Sequence, residues 1–199
     1  MSNRVRMWCL RHAESENVTA AIAGAQPNAP LTAHGHQQAL RAAQTLAAEP
    51  VTNVYSSTAL RSRQTAHPIA AAHKLRVHPI PELVEIGIGQ HEGSGDPAVR
   101  ARTAAVLRAW VVDGHLHERV ADGETGHDVL GRTTTALQRL VERHEGETVA
   151  IVGHVASLTL ALSQLCALGA SVWGVPLPHA EPFLVESDGE RWHCSAWPA

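Results

Sequence analysis

Two arginines, two histidines and a glutamate follow short strand-like runs of this 199-residue chain. Arg11 and His12 follow residues 5–10, Ser56 and Ser57 lead to Arg61 after 51–55, Glu85 follows 75–80, and His154 follows 148–152. Together these side chains suit phosphate monoester chemistry. A phosphate ester carries close to two negative charges, and a guanidinium matches its oxygen geometry while keeping its own charge. Arg11 and Arg61 fit that task, although Arg63 lies on the same helical stretch as Arg61. An uncharged imidazole attacks phosphorus near neutral pH and splits hydrolysis into formation and breakdown of a phosphoryl-enzyme; His12 is the candidate. Glu85, with Glu82 as a competitor in the same segment, would protonate the leaving alkoxide if a poorly hydrated pocket favoured its acid form. His154 would donate to the phosphoryl oxygens, and the start of the helix behind it would add backbone N–H groups and the positive end of a dipole.

These residues converge only if their elements do. Residues 5–10 and 51–55 predict strands, and 148–152 is a continuous apolar run too short for a helix, hence a central strand buried on both faces. Between them lie helical patterns. Thr32 caps a helix whose apolar face is read as Ala39, Leu40, Ala43, Leu46 and Ala47; further helices are expected over 58–73, 96–112, 125–143 and 155–168. Residues 75–80 predict a short strand ending at Pro81, and 183–186 with 192–196 a closing hairpin around Asp188 and Gly189. Alternating strands and helices argue for an α/β fold, a three-layer α/β/α sandwich with a mostly parallel central sheet. Its ligand site should lie beyond the carboxyl ends of the strands. Residues 1–199 read as one domain, with 86–124 as an insertion covering the active site. The 18–30 loop and residues 86–122 would line a moderately apolar leaving-group pocket of Ala, Ile, His and a Trp.

The same residues carry a family resemblance. Leu10-Arg11-His12-Ala13-Glu14-Ser15, Pro30-Leu31-Thr32 with Gly35, Gln38 and Ala39, and Tyr55-Ser56-Ser57 followed by Leu60, Arg61, Gln64, Thr65 and Ala66 resemble motifs of the histidine phosphatase superfamily, in the branch related to phosphoglycerate mutase. So do Glu82-Leu83-Val84-Glu85 with Gly89, Glu92 and Gly93, the turn Gly123-Glu124-Thr125, and Val152-Gly153-His154. The resemblance implies a phosphoglycerate mutase-like fold and a phosphohistidine intermediate on His12. It places Arg11, Arg61 and His154 around the phosphoryl group and selects Glu85 over Glu82 as the proton donor. Three departures stand out. Ala13 and Val155 occupy usual glycine positions, which Ala13 tolerates only if its φ is negative. Val18 stands where the family has an asparagine, with Asn17 one place early. No Lys or Arg lies between Arg11 and Arg41, where related mutases and bisphosphatases place basic residues, so a singly phosphorylated small molecule is the expected partner. A phosphoglycerate-type mutase and a weakly catalytic phospho-ligand-binding module are the alternatives.

Composition narrows the remaining classes. A formal net charge of −3 gives no basic footprint for nucleic acid or an anionic membrane. No apolar run reaches the roughly eighteen residues of a membrane helix. Cys9, Cys166 and Cys194 are odd in number and set among apolar residues, which suits free thiols in a reducing cytoplasm. The close pairs His34/His36 and His115/His117 lack the partners of a zinc pattern, so no metal and no organic cofactor is expected. An exposed apolar helix face would suit a homodimer.

Overall fold

The computed structural model describes residues 4–198. A six-stranded sheet of order β3-β2-β4-β1-β5-β6 runs through the middle. Strands β1 (Val5–Arg11), β2 (Val51–Ser56), β3 (Val77–Pro79) and β4 (Thr148–Gly153) are mutually parallel. Strands β5 (Phe183–Ser187) and β6 (Trp192–Cys194) form the antiparallel hairpin that finishes one edge. Every residue of β4 is buried, as its unbroken apolar run requires of a strand covered on both faces. Alternation along β1 does the sorting. Val5, Met7 and Cys9 face a core shared with α5 (Gly126–Arg143) and α6 (Val155–Leu165), through Leu137, Leu140 and Leu162. Leu10 faces the opposite core, shared with α2 (Ala33–Leu46) and α3 (Leu60–Ala72), through Ala39, Leu46 and Ile69. Two helical layers thus enclose a mostly parallel sheet, and a single helical turn, α1 (Glu16–Thr19), lies in the loop after β1.

Local chemistry explains where the helices begin. Thr32 accepts from Gly35 N at 2.9 Å to cap α2, and Thr125 and Asp128 form a reciprocal capping box on α5. Gly35 has a second reason to be glycine: a Cβ there would collide with the Glu14 carbonyl, so the start of α2 lies directly against the loop after β1. The buried face of α2 is Gly35, Ala39, Ala42, Ala43 and Leu46. Leu40 and Ala47, assigned to that face from the sequence, are both exposed, Leu40 by 56 %. The stripe through Gly35 that packs closest to the β1 loop turns them outward. Helix α6 ends at Leu165 rather than 168, and the strand expected over 75–80 shortens to β3.

Residues 86–124 build a further layer against the outer ends of α5 and α6. Helix α4 (Pro97–Arg108), capped by Asp96, runs into a π-helical turn at Ala109–Asp113 that Gly114 ends with φ 71°. Ile86, Ile88, Val106 and Trp110 pack there with Val129, Ala156 and Leu160. Trp110 is fully buried with its indole N–H on the Glu118 carbonyl at 2.8 Å, so it is core and not pocket wall.

Candidate active site

Strand register brings the polar residues together. Arg11 pairs with Gly153 across β1/β4, and Ser56 with Val152 across β2/β4, so the residues that follow, His12, Ser57 and His154, leave the sheet at one level. His12 N and Ser57 N donate to Gly153 O and Val152 O, both at 3.0 Å, continuing the ladder into the site. His12, His154 and Arg61 are buried to 3 %, 0 % and 1 % exposure.

Hydrogen-bond roles fix the state of His12. Its Nδ1 lies 2.7 Å from the Ala13 carbonyl, which only accepts, so Nδ1 carries the proton. Nε2 is left as a lone pair, held by Arg61 Nε–H at 3.1 Å. Burial, reinforced by His154, Arg61 and Arg11, pushes the imidazole well below its usual value of 6.5, with the Ala13 carbonyl opposing. A neutral ring with an unprotonated Nε2 is the form a nucleophile needs. Ala13 packs in the α2/α3-side core and is not among the residues of positive φ, so the missing glycine costs nothing there; its N–H donates to Thr65 Oγ1 at 2.9 Å.

Arg61 is placed differently from the free phosphate fork that its residue type suggests. Besides His12, its guanidinium donates to Gln26 O at 2.7 Å, Ala25 O at 2.8 Å and His154 Nδ1 at 3.2 Å. Four of its five N–H groups are therefore spent tying two imidazoles to the loop after β1. Arg11 has more in reserve. Its Nη1 donates to Leu177 O at 3.0 Å, while its buried Nε has no protein partner among the described residues. His154 likewise spends both nitrogens: Nδ1 accepts from Arg61, so Nε2–H donates to Ser57 Oγ at 2.7 Å. Burial and the cations Arg61, Arg11 and Arg132 push it well below 6.5. A donor role toward phosphate would therefore require it to gain a proton as the anion arrives.

The two carboxylates left open by the sequence separate cleanly. Glu82 points away, 3.7 Å from Arg139. Glu85 lines the cleft, where its oxygens accept from Ile86 N at 3.0 Å, Ser157 N at 3.1 Å and Ala156 N at 3.2 Å. The N–H groups at the start of α6, expected to face phosphate, thus serve Glu85 instead, and three backbone donors surround its carboxylate. Behind it stands Arg132, which the sequence reading missed. Its guanidinium pairs bidentately with Glu124 at 2.7 and 2.9 Å and donates to the carbonyls of Glu82, Val84 and Glu85. Glu124 also accepts from Gly87 N at 2.8 Å, so this pair fixes the segment carrying Glu85. The only trace in the sequence is an opposite-charge pair eight residues apart, which helical spacing does not flag.

His179 was also missed. Its Nδ1 lies 2.9 Å from the His12 carbonyl and its ring 5.7 Å from the His12 ring; a proline-rich loop without periodicity gives no cue to it. Asn17, one place early for the family's asparagine, is buried at the cleft and accepts from Ser15 Oγ at 2.8 Å. The cleft in front of His12 measures about 270 Å³. Its outer wall comes from Val18, Ala23, Ile86, Ile88 and Leu107, as the segments named from the sequence imply, but without their histidines or tryptophan. Val155 lines the same cleft as Arg11 and His12. No helix among the described residues is long and apolar enough to cross a membrane.

A sequence-family model for the histidine phosphatase superfamily (branch 1) matches residues 7–199. A probable phosphoglycerate mutase GpmB of Serratia proteamaculans is 29 % identical, the match covering 97 % of this chain and 90 % of that one. A phosphoserine phosphatase 1 of Hydrogenobacter thermophilus is 32 % identical, covering 82 % and 76 %. Among solved structures, Bacillus stearothermophilus YhfR superimposes with a TM-score of 0.82 at 28 % identity, covering 96 % of this chain and 95 % of that one.

Proposed function

The chain belongs to the histidine phosphatase superfamily (branch 1), and from that premise we propose that it is a metal-independent phosphomonoesterase acting on a small molecule through a phosphohistidine at His12. The observation that carries the reading is the His12 ring itself, which lines the cleft neutral, with its proton on Nδ1 and an unprotonated Nε2 held by Arg61 Nε–H. The ester phosphoryl group binds against Arg11, whose guanidinium retains donors, with Arg61 and His154 behind it. Nε2 gives up its hydrogen bond from Arg61 Nε–H and attacks phosphorus, the P–O bond to the leaving group breaks, and Glu85 delivers a proton to the departing oxygen. Water then attacks the phosphohistidine, Glu85 takes up one of its protons, and inorganic phosphate leaves. In the free site the Glu85 oxygens accept from three backbone N–H groups, so the proton it passes to the leaving group arrives with the substrate or from solvent. The phosphate anion offsets the cations around His154, allowing that ring to become a donor.

A mutase has the same first half-reaction but must hold a second anionic group while the phosphoryl returns. The apolar outer wall and the absence of Lys or Arg from residue 12 to 40 favour hydrolysis. The test is phosphate release from p-nitrophenyl phosphate and a panel of natural monoesters, in EDTA, by the wild type and His12→Ala. Turnover that vanishes in the variant is expected. A folded wild type that releases no phosphate but exchanges it between phosphoglycerates would replace the phosphatase by a mutase.

A further inference from the structure

The cleft does not stop at the wall facing His12. Arg11, Ala104, Leu107 and Val155 line both it and a second hollow of about 410 Å³, which continues over Thr159, Val172, Trp173, Val175 and Pro176. The two hollows adjoin along these shared residues, so a ligand anchored by phosphate at Arg11 and His12 meets a mostly apolar surface on its route outward. Arg11 is the one charged residue, among those described, that lines the outer hollow. On the inner wall the remaining cation is Arg100, whose Nη1 bridges Ala21 O and Gly95 O at 2.8 and 2.9 Å and so braces the loop after β1 against the 86–124 layer.

Exposure gives an independent indication. Three large apolar side chains are exposed among the described residues, and two of them stand on this route: Val18 at the inner cleft and Val175 at the outer hollow, 36 % and 55 % exposed. Binding sites for organic ligands combine apolar walls with a few convergent polar groups, and here the polar groups gather at one end. We infer that the substrates are phosphate monoesters of extended, uncharged alcohols. Their apolar or aromatic body crosses Leu107 and Val155 and lies on Trp173 and Val175. For turnover this rests on the phosphatase reading of His12; for binding it does not.

The experiment is calorimetric titration of the full chain with three non-hydrolysable phosphonates: methylphosphonate, 3-phosphonopropionate and 4-phenylbenzylphosphonate. Covering on the order of 60 Å² of additional apolar surface is worth about tenfold in affinity, so the biphenyl compound is expected to bind at least tenfold more tightly than methylphosphonate. Val175→Asp, at an exposed position, should erase most of that advantage, and Trp173→Ala provides a second variant should the first fold poorly. Equal affinities, tightest binding of 3-phosphonopropionate, or a biphenyl advantage that survives both substitutions would overturn the inference. Phosphate release from the corresponding esters, with His12→Ala as control, separates the two claims. A biphenyl preference in binding without His12-dependent release breaks the phosphatase reading and supports the ligand class. His12-dependent release from every ester, without a biphenyl preference, breaks the ligand class alone.

Discussion

Arg61, at the carboxyl edge of the sheet, makes four hydrogen bonds inside the protein, and the two imidazoles it touches have every ring nitrogen occupied. Across the same cleft, Ile88 and Leu107 offer no polar atom, and Val18 stands partly in water. One side is a polar cluster fixed before any ligand arrives; the other is a surface that gains contacts only when a ligand covers it. Preorganised donors and a preset tautomer serve a reaction coordinate, which tolerates little displacement. An apolar wall without directional bonds serves selection, where shape and area decide. The two sides should therefore respond very differently to substitution.

The largest difference is expected at His12. His12→Ala should abolish both phosphate release and covalent phosphoryl labelling, a loss of at least ~10⁴-fold in kcat/KM. Leu107→Ala, across the cleft, should cost about tenfold, chiefly for esters with apolar leaving groups. Comparable losses at the two positions would break the division between chemistry and selection. Arg61→Lys comes next. Lysine offers one point charge and cannot hold His12 Nε2, His154 Nδ1 and the Ala25 and Gln26 carbonyls together, so kcat should fall by roughly 10²- to 10³-fold. A near-normal kcat would mean that the charge of Arg61 matters and its fork does not.

Glu85 belongs to both sides: its carboxylate rests on the start of α6, and its backbone is gripped by Arg132 from α5. Glu85→Gln should slow release about 10²-fold for alkyl phosphates and far less for p-nitrophenyl phosphate, whose leaving group departs without a proton. Equal losses for both would remove Glu85 from the acid role. Arg132→Ala tests the grip alone. It should lower stability by about 2 kcal/mol, measured by urea unfolding, because it orphans Glu124 and three carbonyls. The same variant should reduce kcat for alkyl phosphates more than for p-nitrophenyl phosphate, the signature of a misplaced Glu85.

Much of the polar side was legible in the sequence, and little of the bracing was. His12 and His154 could be placed because strands of one sheet must deliver their next residues to one edge, which the Arg11/Gly153 and Ser56/Val152 registers do. The exposed Leu40 shows a limit: periodicity finds a helical face but not its rotation, which the collision avoided at Gly35 sets here. Residue type likewise named Arg61 without revealing that its donors were already engaged. Arg132 and His179 act across chain separations of about fifty and more than a hundred and sixty residues, and no local pattern encodes such contacts.

Protonation gives the smallest effect and the most direct test of how far the polar side is preset. His12, His154 and His179 all titrate below the ordinary value of 6.5 in the folded protein, burial being the first cause in each and nearby arginines adding to it. Below about pH 6.5 the unfolded chain therefore binds more protons than the folded one. Their contribution to stability is complete above pH 6.5 and declines as the pH falls toward the folded-state values, by at most about 1.4 kcal/mol per pH unit for each ring. Glu147, held below its usual 4.5 first by its hydrogen bond with His144 and then by one with Thr52, titrates at lower pH and leaves the window from 6.5 to 4.5 to the histidines. Urea unfolding across that window should show a steep loss in the wild type and a shallower one in His12→Asn/His154→Asn. That variant keeps polar atoms at both positions and has nothing there to protonate. Parallel slopes would mean that the rings are not held neutral, and that the lone pair on His12 Nε2 must be made when substrate binds rather than being ready beforehand.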